Sequence, residues 1–283
     1  MKTLGWEALG SVSPQRLSEA RLVLHHAVQL VAAVGRSLVP ARGDDGHTSL
    51  EWRAKPRGFL GQEAPGARPW RTALSLDDLS LVVQAEGGEL GRLELAGRTK
   101  GEAFAWLVNQ AHYLGAAADK LSLDAPYAVP QDVVGAVFAV PADGSLAELG
   151  RWYTNADKLL RGEAEGWADA APVRVWPHHF DIGSVLPFGP TGGEGAPSIV
   201  IGLSPGDEAI PEPYFYVTPW PVPSTLPDLP AGGHWHREGW TGAVLLGSEV
   251  VAAGEGQAQG AAASAFLTRT DEALRARHDK GRA

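Results

Sequence analysis

The order in which hydrophobic periodicity changes along this 283-residue chain constrains its fold more than any single motif does. Leu17, Ala20, Leu24, Ala27, Val31, Val34 and Leu38 recur at alternating steps of three and four, the period of a helix with one buried stripe. Ser13-Pro14 offers an N-cap followed by a proline at the first helical position, and Pro40 ends the segment. From 48 to 95 the pattern changes to short extended runs at 49–53, 70–76, 79–85 and 90–95, with Asp77-Asp78 and Gly87-Gly88 as turns. These predict an antiparallel meander. Thr99 and Glu102 then have the spacing of a capping box at the head of a second helix.

The same order returns in the second half. Ser145 and Glu148 would cap a helix running to Arg161, extended runs follow at 173–176, 180–186, 198–203, 214–218 and 240–246, and a last helix is expected over 257–277. Proline-containing segments at 125–130 and 140–143 mark the boundary between the halves. The expected fold class is α+β, with two similar helix/antiparallel-meander/helix halves whose sheets are backed by helices. Residues 1–142 form the N-terminal half and 143–283 the C-terminal half that carries the site; one compact domain is the alternative.

Composition limits what such a fold does. With 44% apolar and 20% charged residues the chain is globular and long enough for a sizeable core. A formal charge of -9 disfavours nonspecific nucleic-acid binding, which needs clustered Lys and Arg. The absence of cysteine removes disulfides, thiolate metal sites, iron–sulfur clusters and cysteine nucleophiles. Met1-Lys2-Thr3-Leu4-Gly5 does not lead into a secretory apolar core, and no apolar run reaches bilayer length. A cytoplasmic location, a small-molecule partner, no nucleic acid and no membrane are therefore expected.

Two segments concentrate the chemistry: Trp176-Pro177-His178-His179-Phe180-Asp181, and Gly233-His234-Trp235-His236-Arg237-Glu238-Gly239-Trp240. In an extended chain, residues two apart share a face, so His179 would pair with Asp181 and His234 with His236. Converging, they would offer three imidazoles and a carboxylate, a ligand set for a divalent metal, zinc or non-haem iron. His-x-Asp followed by a distant histidine also resembles the facial triad of non-haem iron oxygenases, with His179, Asp181 and then His234 or His236. That spacing is common by chance. A metal-free binding or acid/base pocket, and a hydrogen-bonded structural seam, are the competing readings.

A third segment, 204–216, makes a Pro-Gly-Asp turn and then sets Asp207, Glu208 and Glu212 before an aromatic strand. Any of the three would add a ligand, and Glu212, held between prolines, or Glu238 would serve as general base; exposed carboxylates in such loops are more often simply solvated. Tyr214, Tyr216, Trp220, Trp235 and Trp240, together with Trp176 and His178, would wall the pocket with flat apolar faces that carry polar edges. His25 and His26 in the first helix read as edge-of-core or surface histidines in preference to ligands. Gly192-Gly193-Glu194-Gly195 lacks the Lys-Ser/Thr ending of a phosphate loop and reads as a turn, while Gly-x-Ser-x-Gly, His-Glu-x-x-His and Cys-x-x-Cys are absent.

The early Leu-His-His helix, the Val-Trp-Pro-His-His-Phe-Asp block, Ser-Pro-Gly-Asp before Glu-Pro-Tyr-Phe-Tyr, and the closing Gly-Trp-Thr-Gly-Ala block follow one another in this chain. In that order they resemble a bacterial domain-of-unknown-function family, family 5996, over nearly the whole length. In the commoner form of that family an aromatic Gly-Ser-Phe-Asp stands where this chain has Pro-His-His-Phe-Asp. Asp181 matches, and His178 and His179 depart. The resemblance implies the architecture and carries no activity. The residues themselves lead to the expectation of a His/Asp/aromatic small-molecule pocket. It would belong to an enzyme with a divalent metal on His179, Asp181, His234 and His236, or alternatively to a noncatalytic ligand-binding or assembly module without metal.

Overall fold

The computed structural model describes residues 5–130, 137–188 and 196–280; the turn expected at 192–195 lies outside them. The protein is α+β with antiparallel sheets, and its chain divides into two compact units. One unit comprises residues 19–150 and 174–180, the other residues 1–18, 151–173 and 181–283. The change at 150/151 falls close to the expected boundary at 142/143. Two short segments are exchanged, however: residues 1–18 belong with the C-terminal unit and residues 174–180 with the N-terminal one.

The N-terminal unit is a meander of five strands in sequence order, β1 (Glu51–Ala54), β2 (Arg57–Leu60), β3 (Trp70–Ser75), β4 (Ser80–Ala85) and β5 (Gly88–Glu94). Helix α1 (Ser18–Leu38) buries its expected stripe: Ala20, Leu24, Ala27, Val31 and Val34 are all at most 1% exposed. Ser13 makes no side-chain capping bond, because a 3-10 turn over Pro14–Arg16 comes first and the α-helix starts after it. The sequence pattern missed β2. Its Phe59 is wholly buried, edge-on to Trp52 with ring centroids 4.9 Å apart and 5.2 Å from Phe180. Burial of one such side chain stabilises by roughly 1.5–3 kcal/mol. Helix α2 (Lys100–Tyr113) begins at the capping box foreseen from sequence: Glu102 N–H donates to Thr99 Oγ1 at 3.2 Å, and Thr99 N–H donates to Glu102 Oε2 at 2.8 Å. Strand β6 (Arg174–Trp176) belongs to this unit through Val175, which pairs antiparallel with Leu50.

In the C-terminal unit, helix α3 (Ser145–Ala164), counted from residue 151, and helix α5 (Gln257–Lys280) accompany an antiparallel sheet. Five strands lie in this unit: β7 (Asp181–Pro187), β8 (Ser198–Ser204), β9 (Tyr214–Trp220), β10 (His234–His236) and β11 (Gly242–Leu246). They run in the order β10-β11-β9-β8-β7. Strand alternation gives the sheet two different faces. On one, Phe215 and Val217 are fully buried, with Phe215 packed 6.4 Å from Trp152 of α3. Phe266 and Leu267 of α5 are also fully buried. The opposite face carries Tyr214, Tyr216 and Thr218. The short helix α4 (Gly247–Ala252) follows β11 directly.

The N-terminal segment is tied to this unit by two side-chain amides. Asn155 accepts from Glu7 N–H at 2.9 Å and donates to Glu7 C=O at 2.8 Å; Gln259 does the same for Leu9, at 2.9 and 3.0 Å. Each amide thus treats a backbone residue as a neighbouring strand would. No helix of the described residues is long and apolar enough to cross a membrane.

Candidate functional site

Tyrosine dominates the second face of the C-terminal sheet. Tyr216 stands opposite Gly202 on β8, which stands opposite Gly183 on β7. A Cβ at Gly202 would lie 2.7 Å from Ile182 O and closer still to the Tyr216 phenol. The missing side chains leave the groove in which this phenol lies, and its hydroxyl donates to Asp181 Oδ2 at the head of β7. Tyr214 makes the matching bond, donating to Asp207 Oδ2 at 2.6 Å, while Asp207 Oδ1 accepts from the Ala209 and Ile210 amides at 2.8 Å each. The Pro-Gly-Asp turn read from sequence is therefore the device that fixes Tyr214. Burial first, and then the neighbouring carboxylates, push both phenols well above their ordinary pKa, so each stays protonated as a donor.

Trp240 closes over this pair. Its ring centroid lies 6.3 Å from each of Tyr214 and Tyr216 and 4.7 Å from His236, and Trp240 and the two tyrosines make one apolar cluster with Ile210 and Val244. The His236 ring is bonded through Nε2 to Glu238 O at 2.8 Å; a carbonyl only accepts, so Nε2 carries the proton. His236 and Trp240 are half-buried and His234 is exposed. Trp235 points to the other side of β10 and donates its indole N–H to Pro227 O at 2.8 Å. The rest of the expected site is spread out. Glu208 and Glu238 are exposed, and Trp220 is 56% exposed at the end of β9. Glu212 is engaged at the head of α4: its carboxylate accepts from Ser248 N–H at 2.6 Å, Ser248 Oγ at 3.1 Å and Gln15 Nε2 at 3.1 Å. A capping carboxylate so committed is not a free base.

The expected convergence of Asp181 with His234 and His236 is corrected by the strand order. Strands β8, β9 and β11 stand between β7 and β10, so four spacings of ~4.8 Å separate them by about 19 Å, far beyond one coordination sphere. The pairing of His179 with Asp181 through strand alternation also fails. Residues 177–180 form a turn closed by Phe180 N–H donating to Trp176 O at 2.7 Å, and Phe180 takes a positive φ of 57°. Among the described residues no three His, Asp or Glu side chains are gathered to hold a metal ion.

That turn belongs to the N-terminal unit, where α1 grips it. His25 Nε2 and Gln29 Nε2 both donate to Pro177 O, at 3.0 and 2.7 Å; Tyr127 donates to Gln29 Oε1 at 3.0 Å, and Arg36 donates to Tyr127 at 3.2 Å. The His25 ring stacks on Phe180 at 5.3 Å, and burial lowers its pKa to about 4, so it is neutral. His26 bonds Pro130 O at 3.1 Å. His178 and His179 lie with ring centroids 4.5 Å apart, and His178 is flanked by Trp176 at 6.1 Å and Tyr127 at 5.8 Å. His25 is thus a buried, hydrogen-bonded core residue, deeper than the edge-of-core or surface position expected for it. Gln29 and Tyr127 were missed; the i, i+4 spacing of His25 and Gln29, which sets them on one helix face, was the available signal.

No family model, curated protein or solved structure matches this chain. Its chemistry is therefore argued from its own geometry.

Proposed function

We propose that this protein binds a small polar ligand with a flat face, a planar heterocycle or a sugar, on the tyrosine face of the C-terminal sheet, and does so without a metal. The observation that carries this is the division of labour among the aromatic groups. Asp181 and Asp207 hold the Tyr216 and Tyr214 phenols fixed as a rigid wall, while the adjoining His236 and Trp240 rings stay half-exposed. A preorganised wall beside a partly open indole and imidazole gives stacking area plus a polar edge at small ordering cost. Asp181 and His236, expected as metal ligands, are instead engaged with Tyr216 and with the Glu238 carbonyl. The acidic, cysteine-free composition is the ground for proposing a cytoplasmic location.

Thermal-shift screening of the full chain against nucleobases and monosaccharides, followed by calorimetry, tests the proposal. A hit should lose at least ~10-fold in affinity in Trp240→Ala and in His236→Ala, about 1.4 kcal/mol or more, and chelator treatment should leave the melting temperature unchanged. One equivalent of tightly held zinc or iron in protein purified without a tag, with a melting temperature that falls on chelation, would overturn it.

A further inference from the structure

The C-terminal unit also holds a groove of about 560 Å³ whose walls include Phe188, Trp220, Pro221, Val222, Arg277 and His278. That volume falls within the range of small-molecule sites. Its apolar walls are flat and open to water: Trp220 is 56% exposed and Val222 46%, and Pro221 is exposed between them. An indole left this open beside further apolar surface marks a contact site.

The polar lining is specific. Arg277 is the one charged residue among the described groove walls, in a chain of net charge -9. Its Nε donates to Thr225 O at 3.2 Å, which fixes the guanidinium plane and leaves the terminal N–H donors for another acceptor. Beside it, His278 stacks on Phe188 with ring centroids 4.5 Å apart and planes 8° from parallel. A held guanidinium with terminal donors to spare, next to a flat apolar wall, calls for an acceptor carried on a ring.

We propose that this groove binds a flat aromatic carboxylate, its ring against Trp220 and the proline wall and its carboxylate on Arg277. Trp220 stands four residues along β9 from Tyr216, about 13 Å, and Arg277 is on α5; neither belongs to the Tyr214/Tyr216/Trp240 cluster, so the two sites are independent.

Calorimetric titration of the full chain with indole-3-carboxylate, indole and acetate tests the site. Indole-3-carboxylate should saturate with Kd below ~1 mM, and indole (ring alone) and acetate (charge alone) should bind at least ~10-fold more weakly. Trp220→Ala and Arg277→Gln should each weaken indole-3-carboxylate ~10-fold or more. Both side chains are exposed, so both variants should keep the wild-type melting temperature, and Trp240→Ala should bind like wild type. Absence of saturable binding, equal affinity in Trp220→Ala and Arg277→Gln, loss of binding in Trp240→Ala, or binding of a proline-rich peptide in place of the aromatic acid would each overturn the proposal.

Discussion

Tyr216 reaches its carboxylate because the strand positions beneath it carry no side chain. Adding one methyl at Gly202 puts a Cβ into the phenol and 2.7 Å from Ile182 O, so Gly202→Ala should cost about 1–3 kcal/mol in chemical denaturation. Tyr216→Phe keeps the ring and removes the donor to Asp181; the expected loss is again about 1–3 kcal/mol, from a hydrogen bond to a charged group. A Tyr216→Phe variant as stable as wild type would mean that water replaces the phenol. In the other unit, His25 has a pKa of about 4 folded against 6.5 unfolded, because burial disfavours its charged form. As pH falls, the unfolded chain takes up this proton first. His25 therefore supports folding fully above pH 6.5, and that support drains away between 6.5 and about 4, by about 3 kcal/mol in all. His25→Gln keeps a donor for Pro177 O and does not titrate. Its stability should fall less steeply than wild type over that window, and parallel pH curves would show that His25 gains its proton without unfolding.

Elements with a local physical cause were legible, and those without one were not. The Thr99/Glu102 box is a pattern within four residues, and α2 starts there; Thr99→Ala should lose about 1 kcal/mol, measured by urea denaturation. Strands β3, β4 and β5 showed as short extended runs set off by their Asp-Asp and Gly-Gly turns. Strand β2 did not, since Gly58-Phe59-Leu60 is buried in succession, without alternation, directly after Pro56. Helix α4 was hidden because Leu246-Gly247-Ser248 continues the apolar run of β11. At the site, the turn at Asp207 and the aromatic strand β9 were visible, but the separation of Asp181 from His236 depends on strand order, which no local pattern encodes. The turn at His178-His179 depends on a positive φ at Phe180, a residue type that rarely adopts it. Glu212 illustrates the same limit: a carboxylate between prolines looks available until α4 is placed on it. Glu212→Ala should lower stability by about 1 kcal/mol through loss of this cap and leave ligand affinity at Trp240 unchanged. A drop in affinity with no change in stability would return Glu212 to the site.

At the scale of the molecule, the C-terminal unit is assembled from three stretches of chain, and its first stretch is retained by side chains rather than by a strand ladder. Asn155 is fully buried and Gln259 is 2% exposed, yet each has its amide satisfied at one backbone residue, Glu7 and Leu9, and Gln259 Oε1 also accepts from Trp6 Nε1 at 3.3 Å. Removing either amide leaves the partner N–H and C=O to find water, which requires the segment to lift away. Asn155→Ala and Gln259→Ala should therefore each cost about 2 kcal/mol, from the two backbone hydrogen bonds that each loses, with the longer Trp6 bond adding to the Gln259 loss. The two clamps hold residues only two apart on one extended segment, so they are not independent. Once one has released the segment, the other retains little to hold, and the double variant should lose less than the sum of the singles, by about 0.5–3 kcal/mol. Urea denaturation of the four-member cycle measures that coupling. Strict additivity would mean that Glu7 and Leu9 are anchored separately, and that residues 5–9 are a pair of local contacts instead of one docked segment.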